Sequence, residues 1–272
     1  MRAPGIVRRG LGVSGVVDHG TRRRRAAYRR VVWGGGEVLV TVGLLLLLLV
    51  VHQLWWTNRQ AREGAERKVQ ALEKEWGSGA EEGKGKGEGQ ERGAGVSGAG
   101  GASSGGGSGA STESGRAQGT PRWSQAYAVL SIPRLGLRVP VAEGVGKRDV
   151  LNKGYVGHYP HTQQVGQAGN FALAGHRNTH GEPFRYINRL RRGDEIDVET
   201  AAGRYVYVVD GTLPQTSAND GGVIREVPRS TVRPAYGYSA PGYYITLTTC
   251  TPEYTSRYRL VVWGKLTSMR PR

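Results

Sequence analysis

Between Val38 and Leu54 the chain carries no charged side chain, and Leu44–Leu49 is six leucines in succession. At about 1.5 Å of helical rise per residue, a stretch of roughly 17–20 such residues crosses the hydrocarbon core of a bilayer. The run closes on Trp55-Trp56, rings that suit the membrane–water interface. A cleavable signal peptide would end in small residues instead, and a buried core helix would show a polar face. Residues 37–56 are therefore read as one transmembrane signal anchor. Before it, residues 1–36 hold nine arginines (Arg2, Arg8, Arg9, Arg22, Arg23, Arg24, Arg25, Arg29 and Arg30) against a single Asp18. Such a segment buries no core and is expected to be a disordered tail. Its charge places the N-terminus in the cytoplasm and everything after Trp56 outside the cell.

Beyond the anchor the composition changes twice. Residues 57–76 are mostly Ala, Glu, Lys, Arg and Gln, with Val69, Leu72 and Trp76 at helical spacing, which predicts a charged helical stalk. Residues 77–122 form a Gly/Ser-rich linker, with 17 glycines between Gly77 and Thr120. As a coil of that length it would span roughly 35 to 40 Å. From residue 123 to about 267 the pattern is globular, and 268–272 reads as a C-terminal tail.

The globular part predicts short strands over Tyr127–Ile132, Leu137–Val141, Asn170–Ala174, Glu195–Thr200, Arg204–Val209, Tyr243–Thr249 and Tyr258–Trp263. Ala201-Ala202-Gly203 supplies a hairpin turn. Only Lys147–Lys153 and Pro183–Leu190 look helical. The expected class is all-β, a single barrel or sandwich with short helices.

The formal charge of +16 over 272 residues first suggests a nucleic-acid binder. Half of it sits in the arginine tail beside the anchor, however, so no nucleic-acid partner is expected. One cysteine excludes a disulfide framework, and the histidines lack zinc-ligand spacing. Glu143, Asp149 and Asp220 do not form a calcium loop. Neither a metal nor a cofactor is expected.

Candidate chemistry centres on that cysteine. Cys250 ends the threonine-rich strand Tyr243–Thr249 and precedes Thr251-Pro252, which must break the strand. A lone cysteine is commonly a small core residue. In an oxidising exterior an unpaired thiol is a hazard unless buried or useful. As a nucleophile it needs an acid or base partner and an oxyanion stabiliser. His176, in Phe171-Ala172-Leu173-Ala174-Gly175-His176-Arg177, also lies where a strand gives way to a loop, and Gly175 allows close backbone approach. His158, His161 and His180 fall in loops rich in Gly, Pro, Thr and Asn and are assigned surface or loop-bracing roles. Arg259, nine residues after Cys250, could hold a developing oxyanion. Arg257 lies on the same face by strand alternation, and spacing leaves the choice between them open.

Leu247-Thr248-Thr249-Cys250 followed by Arg259, with Ala174-Gly175-His176-Arg177 upstream, resembles the sortase family of cysteine transpeptidases. The similarity extends from about Ala126 to Leu266 and includes Gly157-His158-Tyr159-Pro160. The short interval from Cys to Arg and the Ala-Gly-His-Arg surroundings resemble class E, the housekeeping type of actinobacteria. The resemblance implies an eight-stranded β-barrel in which Cys250 attacks the Thr carbonyl of a C-terminal Leu-Ala-x-Thr-Gly-like sorting motif. His176 would protonate the departing Gly amine, and Arg259, rather than Arg257, would stabilise the oxyanion. Ala174, Thr248 and Thr249 would line the substrate site, and Leu213–Pro241 falls where the family carries a loop that closes on the substrate. The implied partners are surface proteins bearing the sorting signal and an amine of a peptidoglycan precursor or cross-bridge.

Two other readings compete. One is an anchored extracellular wall-binding or scaffolding module in which Cys250 is buried and inert. The other is an L,D-transpeptidase, whose usual Ser-His-Gly close before the cysteine is absent here.

Overall fold

The computed structural model describes residues 19–84 and 121–272. The expectations for residues 1–18, and for residues 85–120 of the linker expected over 77–122, lie outside the described residues, while residues 77–84 of that expected linker are helical. The chain divides into two compact units, Met1–Gln53 and Leu54–Arg272.

In the first unit the described residues belong to a single helix, α1, which runs from His19 to Lys84 and so continues into the second unit. The helix begins inside the segment expected to be a disordered tail. Arg and Ala, which fill residues 22–27, are good helix formers, and they adjoin an apolar helix that supplies the costly nucleus. Its apolar window has a mean hydropathy of 2.4 and none of it is buried within the protein. That combination fits a membrane anchor.

The second unit is a closed barrel with strand order β1-β2-β3-β4-β7-β8-β6-β5. The strands are β1 Ala126–Ile132, β2 Leu137–Glu143, β3 Val156–His158, β4 Gly169–Ala174, β5 Glu195–Thr200, β6 Gly203–Ser217, β7 Tyr243–Thr251 and β8 Tyr258–Pro271. Neighbours are antiparallel except for β2 with β3 and β4 with β7. Alternate residues fill the interior, among them Leu130, Ile132, Phe171, Leu173, Ile196, Val198, Tyr207, Ile245, Leu247 and Val262.

Several expectations are corrected. The helices expected over Lys147–Lys153 and Pro183–Leu190 shrink to single 3-10 turns, Leu151–Lys153 and Ile187–Arg189. The C-terminal tail expected over 268–272 is mostly strand, because β8 runs on to Pro271 and pairs Ser268 with Val206 and Pro271 with Gly203. These residues present no buried face, so no apolar pattern announced them. The same ladder lengthens β6 past Val209 to Ser217, with register shifts between Val206 and Tyr207, Val209 and Gly211, and Leu213 and Thr216.

Two outer faces of the barrel are covered. On β1 and β2, α1 buries Val69, Leu72 and Trp76 against Ala126, Val129, Ala142 and Val150. The stalk is therefore docked. At about 1.5–3 kcal/mol per buried large apolar side chain, this face outweighs the exposed Glu73–Arg138 ion pair beside it, for which about 0–1 kcal/mol is typical. On β6 and β8, the β6–β7 connection packs Val223 and Ile224 against Leu213, Val261 and Trp263. The Trp263 indole N–H donates to Val223 O (3.2 Å).

Candidate active site

The site lies where β4, β7 and β8 end side by side. Parallel pairing sets Ala174 against Thr248. One residue on, Gly175 N–H donates to Thr248 O (3.1 Å) and Thr249 Oγ donates to Gly175 O (2.8 Å). The backbone entering His176 is thus fastened to the backbone leading to Cys250. On the other side, antiparallel pairing sets Cys250 opposite Arg259. His176, two residues past the end of β4, thus follows a strand that neighbours the one carrying Cys250, which in turn pairs with Arg259.

Gly175 is required by its surroundings. A Cβ there would lie 2.7–2.8 Å from the Phe184 ring, which is fully buried. Pro252 ends β7 after Thr251, as its missing N–H dictates.

Strand alternation decides which side chains enter the groove. Ile245 and Leu247 point into the barrel core, whereas Thr246, Thr248 and Cys250 face outward. Cys250 is half-buried and unpaired. Thr248 and Arg259 line a pocket of about 160 Å³ with Tyr159, Asp220, Val223 and Ile224. Thr248 Oγ lies 3.1 Å from the Tyr159 hydroxyl. Thr249, expected to line the site, is on the inner face, where its hydroxyl braces Gly175. Ala174 is buried at the end of β4. Arg259 donates to Ser256 O (2.9 Å) and Tyr258 O (3.0 Å), while Arg257 precedes β8, exposed, over the Tyr258 ring.

His176 is held by neighbours that the sequence did not announce. Its Nε2–H donates to Asn152 Oδ1 (2.9 Å), and its ring stacks on His180 with centroids 5.3 Å apart. Burial, then His180 and Lys147, lower its pKa to about 4. Arg177, 7% exposed, donates to Cys250 O (3.2 Å) and Thr251 Oγ (2.9 Å), tying β7 to the histidine loop. A basic residue directly after His176 was the one available signal for it.

The other histidine of note, His158, is 1% exposed, so it is not a surface residue. Its Nδ1 lies 2.7 Å from Glu143 Oε2 and its Nε2 2.9 Å from Thr162 Oγ, the geometry of a loop brace. Above the groove, Asp220 accepts from Thr216 Oγ (2.6 Å), Ser230 Oγ, and both Thr231 N and Oγ (2.9 Å each). It pins the β6–β7 connection. Among the described residues no cluster of His, Cys, Asp and Glu could hold a metal ion.

Comparison with known proteins places the barrel in a family. The Sortase domain family matches residues 130–267. Sortase SrtE1 of Streptomyces coelicolor is 41% identical over 226 residues, 81% of this chain and 53% of that protein. Sortase SrtE2 of the same organism is 43% identical over 122 residues, 43% of this chain and 46% of that protein. The chain thus spans about half the length of these curated relatives. The crystal structure of Sortase E1 from Streptomyces coelicolor with a tripeptide in the active site is 50% identical with a TM-score of 0.52, covering 56% of this chain and 94% of that one. The SrtF sortase from Corynebacterium diphtheriae is 28% identical with a TM-score of 0.52, covering 58% and 92%. The chain belongs to the sortase family and is similar to its class E members.

Proposed function

We propose that this protein is a membrane-anchored cysteine transpeptidase that joins surface proteins to the cell wall. The observation that carries the reading is the adjacency of the Gly175–His176 backbone, Cys250 and Arg259 at the ends of three neighbouring strands.

In the proposed reaction the Cys250 thiolate attacks the Thr carbonyl of a Leu-Ala-x-Thr-Gly-like motif. The Thr–Gly C–N bond breaks, a C–S bond forms, and His176 gives its proton to the departing Gly amine. An amine of the peptidoglycan precursor or cross-bridge then attacks the thioester: the C–N bond forms, the C–S bond breaks, the amine's proton passes to His176, and the Cys250 thiolate is returned. Arg259, opposite the nucleophile, meets the oxyanion of each tetrahedral intermediate. Thr248 and Tyr159 offer hydroxyls to the bound peptide on the same face. Water competes with the amine, so hydrolysis dominates when the acceptor is missing.

A pKa of about 4 for His176 keeps its imidazole mostly neutral at pH 7. The general acid is thus a minority species in the resting groove.

The arginine-rich residues before the apolar helix support a cytoplasmic N-terminus and an external barrel. Cys250, only half-buried, gives the inert-thiol alternative no support. The direct test is cleavage of a Leu-Ala-x-Thr-Gly peptide, with mass spectrometry for the thioacyl adduct. Cys250→Ala abolishes both while the fold persists; unchanged turnover in that variant sinks the proposal.

A further inference from the structure

The two side chains that hold His176, Asn152 and His180, stand on separate turns. Both turns abut the same stretch of α1. Asn152 belongs to the 3-10 turn Leu151–Lys153, and Gly154, which follows it at φ 80°, lies against Ala61. A Cβ on Gly154 would come within 2.8 Å of Ala61 O, so the turn and the helix touch backbone to backbone.

His180 opens a run of three left-handed residues, with φ of 51° at His180, 84° at Gly181 and 54° at Glu182. Two of the three carry side chains. Backbone of this kind persists only where its surroundings over-determine it. Here the surroundings are Asn58 and Arg62, one turn apart on a single face of α1. Asn58 Oδ1 accepts from Gly181 N–H (3.2 Å), and Arg62 Nε–H donates to Gly181 O (3.1 Å). The Glu182 carboxylate, 6% exposed, accepts from Asn58 Nδ2 (3.0 Å), Arg62 (3.0 Å) and Arg185 (2.8 Å). A buried carboxylate held by charged and amide donors is a strong clamp. Losing one donor leaves the charge under-compensated in low dielectric.

Resting on the reading of His176 as the general acid, we propose that Asn58, Arg62 and Glu182 are positioning residues for it. The helix that follows the anchor is thereby a working part of the active site. The family match begins at residue 130, so the helical half of the clamp lies outside it. The clamp also starts two residues after Trp56. Asn58 and Arg62 thus join the helix to the histidine loop through hydrogen bonds and an ion pair. The Glu73–Arg138 pair sits eleven residues beyond Arg62, about 16 Å along the same helix. It joins α1 to β2 without touching the histidine loop, and so serves as the control.

The test uses the full chain in lipid nanodiscs, with ¹³C-labelled histidine for NMR titration and a Leu-Ala-x-Thr-Gly peptide for kinetics. In Asn58→Ala/Arg62→Ala, the His176 midpoint moves up toward that of an ordinary imidazole. In the same variant kcat falls on the order of tenfold to a hundredfold, with KM little changed. Arg62→Lys retains most of both, and Glu73→Ala leaves both at wild type. If the double variant proves unfolded by circular dichroism, Asn58→Gln is read by the same titration. A His176 titration identical in the clamp variants and Glu73→Ala overturns the proposal, whether or not peptide is turned over. Turnover in Cys250→Ala, measured in parallel, judges the transpeptidase reading separately.

Discussion

Cys250 and Arg259 stand directly opposite each other across the β7–β8 ladder. Residues paired in this way carry Cβ atoms about 4.5–5.5 Å apart on one face of the sheet. The interval between them is set by the hairpin: Thr251 pairs with Tyr258, and six residues make the turn. Arg257 belongs to that turn and has no place in the ladder, which favours Arg259 as the candidate that faces Cys250.

Arg259→Ala is expected to lower kcat by about 10²–10³, the usual cost of removing an oxyanion donor. Arg259→Lys recovers only part, because a point charge does not reproduce the planar fork. Arg257→Ala stays close to wild type. Steady-state kinetics on the three variants check the assignment, and equal losses at 257 and 259 refute it.

The titration of His176 gives a second expectation. Burial is the main cause of its low pKa of about 4, followed by the like charges of His180 and Lys147. His180→Ala removes both a covering ring and a charge, so the His176 midpoint rises toward 6.5. Lys147→Ala removes a charge alone and gives a smaller rise. The sign for stability follows from linkage. The folded value lies below the unfolded one, so the unfolded chain binds the extra proton between about pH 4 and 6.5. The contribution of His176 is complete above about pH 6.5 and is lost as pH falls toward 4. His180, also lowered by burial, adds in the same direction. Urea unfolding from pH 4 to 7 should show a shallower slope in His176→Asn.

The barrel strands were legible because most alternate an inward apolar residue with an outward one. In Ala126–Ile132 that alternation fails, since Val129 is buried as well as Ala128 and Leu130. The cause is α1 covering the outer face, which the unbroken apolar run hinted at without naming the cover. Val69, Leu72 and Trp76 could be read as one helical stripe, yet nothing in them named β1 and β2 as their partner. β3 escaped because three residues, one of them glycine, carry no periodicity. Cys250, His176 and Arg259 were singled out as candidates by residue type near strand ends. Asn152, His180 and Glu182 were not. Their roles arise from contacts between segments far apart in sequence, such as Asn58 with Glu182. Thr249 was misjudged for a simpler reason: adjacency in a strand means opposite faces.

Asp220 offers a third test. Burial alone would raise its pKa, but hydrogen bonds from Ser230, Thr216 and Thr231 outweigh it and hold the carboxyl below its ordinary value. Its stabilising contribution is therefore present above about pH 4 and is lost as pH falls through the folded value. Asp220→Ala strands four donors and is expected to cost about 1–3 kcal/mol. The loss falls on the connection over the Arg259 pocket, so KM for the peptide rises more than kcat falls. Asp220→Asn retains acceptor capacity on one oxygen and sits between. A kcat defect without a KM change would mean that Asp220 does not hold the substrate cover.

Gly175→Ala probes the close packing behind His176. The added methyl meets the Phe184 ring at 2.7–2.8 Å, well inside van der Waals contact, so one side must move. Phe184 is fully buried within the barrel core and its own N–H donates to His176 O (3.0 Å), so the ring shifts only by straining the histidine loop. Retreat of the backbone is opposed by the Thr248 and Thr249 hydrogen bonds to Gly175. Overpacking of this kind costs about 1–3 kcal/mol, and either route displaces His176 relative to Cys250. The expected result is a lower denaturation midpoint together with a kcat reduced on the order of tenfold or more. Phe184→Leu, which trims the ring, should restore part of the turnover in the Gly175→Ala background. Rescue separates a steric cause from a requirement for glycine's backbone freedom, because only the clash is relieved by a smaller neighbour.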